Sequence, residues 1–144
     1  MQREDIVKSY FQSWLDKTIE PLESIFSDDI IYSECYGPEY HGLTQILKWF
    51  ADWNINGAVL KWKIKKFIHQ GMFTVVEWYF ECDYNNEIGG FDGVSHRVLR
   101  GNGHRSMHYI KSVALRPGTD AGIKICFRGE ALHPLFIAGT VLPL

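Results

Sequence analysis

The sequence predicts an α+β fold: a cone-shaped, curved antiparallel sheet packed against N-terminal helices. Three observations carry that prediction. Apolar residues recur at helical spacing near the N-terminus and again over residues 43–53, period-two alternation takes over after Gly57, and Gly- or Asn-rich turns divide the later chain into hairpin-length pieces. Helices grouped ahead of a meander give a sheet with helices on one face, and such a sheet wraps a concave apolar space.

The elements follow in order. Residues 4–16 put Ile6, Val7, Tyr10, Phe11, Trp14 and Leu15 on one helical stripe, with Glu4 and Asp5 placed to suit the helix dipole. Pro21 can open a second, short helix through Phe26, with Leu22, Ile25 and Phe26 inward. "SDD" (27–29) breaks the chain before a strand at Ile30–Ser33, Gly37-Pro38 marks a turn, and residues 43–53 return to helical spacing through Ile46, Leu47, Phe50 and Trp53. Strand 59–69 begins with Leu60, Trp62 and Ile64 on one side and lysines on the other. Gln70-Gly71 then reads as a hairpin connection. Strand 73–84 alternates Thr74, Val76, Trp78, Phe80 and Cys82 against Val75, Glu77, Tyr79 and Glu81. "NNEIGG" turns the chain into strand 91–99, and "GNG" (101–103) turns it into strand 106–115.

Composition narrows the functional classes. The 144 residues suit one domain and are 46% hydrophobic and 22% charged, an ordinary globular balance. Net charge is −2, which supplies no general basic field for nucleic acid. No apolar run reaches the roughly 20 residues that span a bilayer, and the charged opening "MQREDIVKSYF" does not fit a signal peptide, so a cytoplasmic protein with no membrane partner is expected. Cys35, Cys82 and Cys126 are odd in number and far apart, against a disulfide framework or a zinc site. His104 and His108 would share a strand face but have no acidic or Cys ligand nearby, so neither metal nor cofactor is expected. Aromatics make up 15%, with five Trp, seven Tyr and nine Phe. Trp14, Tyr32, Trp49, Trp53, Trp62, Trp78 and Phe80 are core residues individually, and together they suggest an aromatic-lined pocket for a small hydrophobic or cyclic ligand.

"YFQSWLDKTIEPLESIFSDDIIYSECYG", "YHGLTQILKWFADW", "VVEWYFECDY" and "FDGVS" resemble the SnoaL-like group of the nuclear-transport-factor-2-like (cystatin-like α+β cone) superfamily, over about residues 4–113. The superfamily holds polyketide cyclases, ketosteroid isomerases, dehydratases, epoxide hydrolases and ligand binders, so the resemblance is specific for fold and weak for reaction. It implies a homodimer through the outer sheet face, where Val75 and Tyr79 would gain burial. It also implies a site. The spacing from Tyr10 to Glu34 matches that from the oxyanion-hole tyrosine to the base of ketosteroid isomerases, with Glu in place of the usual Asp. A second oxyanion donor falls on Asp92, or on Ser95 if the "GNG" turn sets the register. A carboxylate desolvated in an apolar pocket is a stronger base towards a carbon acid beside a carbonyl, and a tyrosine O–H stabilises the enolate. Glu34 as base and Tyr10 as polariser would make the chain an isomerase, cyclase or lyase. The alternatives are a non-catalytic binder of a small hydrophobic ligand and a dimeric association domain.

The last segment departs from this pattern. Residues 1–94 carry 8 basic and 15 acidic groups, a balance of −7, whereas residues 95–144 carry 7 and 2, a balance of +5. The domain is therefore expected to span residues 1–116, with 117–144 an atypical extension. Two origins fit such a tail: a natural addition that contributes strands or covers a neighbouring subunit, and an altered reading frame.

Overall fold

In the computed structural model the described residues are 2–35, 39–99 and 107–114. The expected "GNG" turn, Cys126, His104 and the extension 117–144 lie outside them. Helix α1 runs Arg3–Asp16, α2 Glu20–Ile25 and α3 Leu43–Asn56; the strands are β1 Phe26–Ser33, β2 Glu39–His41, β3 Gly57–Gln70, β4 Phe73–Tyr84, β5 Glu87–Leu99 and β6 Met107–Ala114. They form one six-stranded sheet in the order β2-β1-β6-β5-β4-β3. The pairing of β1 with β6 is parallel and the others are antiparallel. Among the described residues, no helix is long and apolar enough to cross a membrane.

Helix α1 buries the predicted stripe of Ile6, Val7, Tyr10, Phe11 and Trp14 against the sheet, and ends at Lys17 in the left-handed region (φ 56°). Two expectations about the next segment are corrected. Phe26 begins β1 instead of ending α2, and "SDD" lies within β1. An irregularity in the β1–β6 register between Phe26 and Ile31 accommodates it, with Asp28 and Asp29 exposed. The Ser27 hydroxyl is tied to the Met107 carbonyl at 3.1 Å. β2 was not foreseen; it pairs with the end of β1 and returns the chain to α3.

Strand β3 contains two bulges, between Val59 and Lys61 and between Ile64 and Lys66. Each adds a residue, so Val59, Trp62, Ile64 and Phe67 share the inner face although simple alternation would separate them. Leu60, expected to point inward with Trp62, sits in the first bulge and is exposed. The bulges also bend the strand, which curves the sheet around its inner face.

The β4–β5 hairpin is tight. Asn85 and Asn86 have φ of 51° and 65°, the two positive values of a two-residue turn whose twist matches its strands. Tyr84 therefore pairs with Glu87, Tyr79 with Asp92, Trp78 with Gly93 and Val76 with Ser95. The core on the inner face gathers Leu22, Phe26, Ile30, Ile46, Val76, Trp78, Cys82 and Phe91, among others.

Candidate functional site

Strand β1 alternates inward through Ile30 and Tyr32, and the same parity carries Glu34 just past its end to the inner face. Glu34 is 9% exposed. It lines a cavity together with Trp14, Tyr32, Cys35, Trp49, Trp53, Trp62, Trp78, Phe80, Phe91 and Ser112. The chain bends at Cys35, so two successive residues reach the same space. All seven aromatic residues singled out from the sequence belong to this wall. Phe91, Cys35 and Ser112 were missed; Phe91 could have been found from its pairing with Phe80.

The rings hold one another by edge and tilted contacts: Trp62 with Trp78 at 5.7 Å, Trp62 with Phe80 at 5.1 Å, Trp14 with Trp53 at 5.5 Å and Tyr32 with Trp49 at 5.1 Å. Gly93 is what lets the Trp78 ring lie across β5, because a side-chain carbon there would collide with that ring. The free volume left between them is about 50 Å³, well below the roughly 300 Å³ of a site for a drug-sized ligand. A second, open groove of about 440 Å³ adjoins it on the outer side of α3 and β2, lined by Glu39, Tyr40, Gln45, Lys48, Asp52, Tyr84 and by Trp49 and Trp53. Trp49 and Trp53 thus border both spaces. Tyr40 stacks on Trp49 with ring centres 4.6 Å apart.

A line of hydroxyls backs the cavity. The Trp78 indole donates to Ser95 Oγ at 2.9 Å, Ser95 and Ser112 share a hydrogen bond of 2.8 Å, and Ser112 adjoins Tyr32. Tyr10 donates its hydroxyl hydrogen to the Tyr32 oxygen at 2.9 Å. Tyr10 itself does not line the cavity but stands behind Tyr32, so Tyr32 is the tyrosine that shares the cavity wall with Glu34. Burial, above all, pushes both phenols well above their ordinary range, and the Glu34 charge adds to the effect. Both therefore remain O–H donors. Burial and Glu34 likewise hold the Cys35 thiol protonated.

Further donors surround the space. The indole N–H groups of Trp49 and Trp62 are buried with no acceptor among the described residues. The Trp14 indole approaches the Tyr10 oxygen closely enough to favour its ionised form, without a well-formed hydrogen bond.

Asp92 is a correction. The two-residue turn places it opposite Tyr79 on the outer face, where it pairs with Lys65. Ser95, the other alignment of that position, faces inward and is buried. Among the described residues, no three of His, Cys, Asp and Glu gather to hold a metal ion.

A family model for the SnoaL-like domain matches residues 7–115. The chain belongs to the SnoaL-like family. Solved structures similar to this SnoaL-like chain include a candidate SnoaL-like polyketide cyclase from Mesorhizobium loti, 19% identical, with a TM-score of 0.61 over 78% of this chain and 98% of that one. A Xanthomonas campestris protein of unknown function with a cystatin-like fold is 17% identical, with a TM-score of 0.67 over 88% and 98%. An LEH-like epoxide hydrolase from M. tuberculosis is 10% identical, with a TM-score of 0.68 over 88% and 87%. At these identities the likeness carries the cystatin-like α+β fold of the SnoaL-like family and not a reaction. No curated protein sequence matches the chain.

Proposed function

We propose that this SnoaL-like protein is a cofactor-independent acid–base enzyme, an isomerase, cyclase or lyase acting on a small cyclic ketone-like substrate. The observation that carries the reading is that Glu34 and Tyr32 line one aromatic-walled cavity. Glu34 is the base that takes a proton from carbon beside the carbonyl. Tyr32 donates to the developing enolate oxygen, and Tyr10 fixes the Tyr32 oxygen from behind. The vacant indole N–H groups of Trp49 and Trp62 suit a ligand carrying further acceptor oxygens. The test is deuterium incorporation from D2O into a panel of cyclic ketones and β,γ-enones, followed by NMR. The wild type is expected to exchange α-protons above the buffer rate, and Glu34→Gln to lower the rate by about 100-fold or more. Equal rates for the two proteins would overturn the assignment.

A second reading, a non-catalytic binder of a small hydrophobic ligand, draws support from the ring-lined wall of the cavity. It predicts ligand-induced quenching of the tryptophans without turnover. A cytoplasmic homodimer through the outer sheet face belongs to either reading. Its support is apolar exposure on that face, where Ile68, Phe73 and Val113 remain 53%, 45% and 40% exposed.

A further inference from the structure

On the inner face of β5, two residues past Ser95 and in the cross-strand row of Ile110 and Tyr32, the sheet carries a cation in place of a ring. Arg97 on β5 lies six residues beyond Phe91, roughly 20 Å along the strand, and is 1% exposed. Its Nη2 donates to the carbonyl oxygen of Arg3 at 2.6 Å, which brings the guanidinium to the first turn of α1. Its Nε and Nη1 are buried and have no acceptor among the described residues. Arg3, half-exposed, donates through Nη1 to the Gly71 carbonyl at 2.5 Å. Neither arginine has a carboxylate partner among the described residues. Glu4, in the same helical turn, is already engaged by His69 at 3.1 Å and by Lys8 at 3.7 Å. Asp5 is exposed to solvent.

A buried guanidinium beside a second cation is strongly unfavourable unless an anion balances it. Burial, and then the Arg3 charge, push the Arg97 guanidinium down to about 10, which leaves it charged at neutral pH. We propose that Arg3 and Arg97 form a phosphate-binding site at the N-terminal turn of α1, outside the lining of the aromatic cavity. Two guanidiniums call for a compact dianion with several acceptor oxygens, and their planar forks match phosphate geometry. The 14-residue helix α1 adds the unpaired N–H groups and positive pole of its first turn. Because Arg97 is buried out of reach of a membrane surface, the ligand is free phosphate or a phosphate monoester.

The test uses the full chain at pH 7.5. Melting temperature is followed against inorganic phosphate and, at matched ionic strength, against sodium chloride, with isothermal titration of phosphate alongside. Phosphate is expected to raise the melting temperature saturably and chloride to leave it almost unchanged. Arg3→Ala is expected to weaken phosphate binding about tenfold, the worth of one charge-assisted contact. Arg97→Met is expected to abolish the response and, without phosphate, to melt at or above the wild-type temperature. Identical responses to phosphate and chloride, or unchanged phosphate affinity in Arg3→Ala, would overturn the proposal. Arg3 is half-exposed, so that variant tests the site even if Arg97→Met does not fold.

Discussion

Tyr10 and Tyr32, 22 residues apart on α1 and β1, share one hydrogen bond of 2.9 Å in which Tyr10 is the donor. The direction makes the two residues unequal. Removing the Tyr10 hydroxyl deletes one buried hydrogen bond, while Ser112 still adjoins the Tyr32 oxygen. Removing the Tyr32 hydroxyl strands the Tyr10 donor in the core. Tyr10→Phe should therefore cost about 1 kcal/mol and Tyr32→Phe about 1–3 kcal/mol. Urea unfolding of both variants and the double variant measures this; equal single losses would contradict the donor assignment.

The same pair contributes to the loss of stability at alkaline pH. Both phenols, and the Cys35 thiol, are raised in the folded chain, so the folded state holds its protons to higher pH than the unfolded state does. Their contribution is fully present below the unfolded values, about 9 for the thiol and about 10 for the phenols, and is lost progressively as pH rises from there towards the raised folded values. Urea midpoints from pH 8 to 11.5 should fall more gently in the Tyr10→Phe/Tyr32→Phe double variant than in the wild type. A parallel fall in the two proteins would refute the linkage.

Gly93→Ala should be poorly tolerated. The added methyl meets the Trp78 ring, which must shift against Trp62 and Phe91. Overpacking of this kind costs roughly 1–3 kcal/mol. Thermal melts give the loss, and a shifted tryptophan emission maximum would report the moved ring. An unshifted spectrum with wild-type stability would show that the ring has room to spare.

Trp49→Ala should join the small inner cavity to the outer groove, since Trp49 borders both. Uptake of a fluorescent apolar probe should rise several-fold, while Trp78→Ala, deeper in the core, should destabilise the fold more. Phe/Trp truncations of buried rings cost about 3–5 kcal/mol, and half-exposed Trp49 should fall below that range. No gain in probe uptake would mean that Trp53 alone separates the two spaces.

How legible these features were depended on whether local pattern or pairing decided them. Strand β4 was readable to the residue, because strict alternation and flanking turns mark both ends. The stripe of α1 was equally plain. The bulges of β3 were not, since an extra residue is fixed by its partner strand, and Leu60 was assigned to the wrong face in consequence. Asp92 failed for a related reason. Reading "NNEIGG" as one long turn left the β5 register open, whereas the two positive-φ asparagines set it and send Asp92 outward. The seven aromatic residues were visible because ring content is a local property, while Glu34 was singled out by its aromatic neighbours and by the family resemblance. Ser112 was not, because only the pairing of β6 brings it near Tyr32.

That β1–β6 pairing also governs the order in which the protein is made. Ile31 pairs with Tyr109, Tyr32 with Ile110 and Ser33 with Lys111, partners 78 residues apart. During synthesis, β1 emerges early with only the three-residue β2 to pair with, and the strand that completes it is the last of the described sheet. Closing so long a loop is slow relative to the β3–β4–β5 hairpins. The nascent chain can thus hold its meander while the wall containing Glu34 remains open, and the pocket becomes whole only when Ser112 arrives.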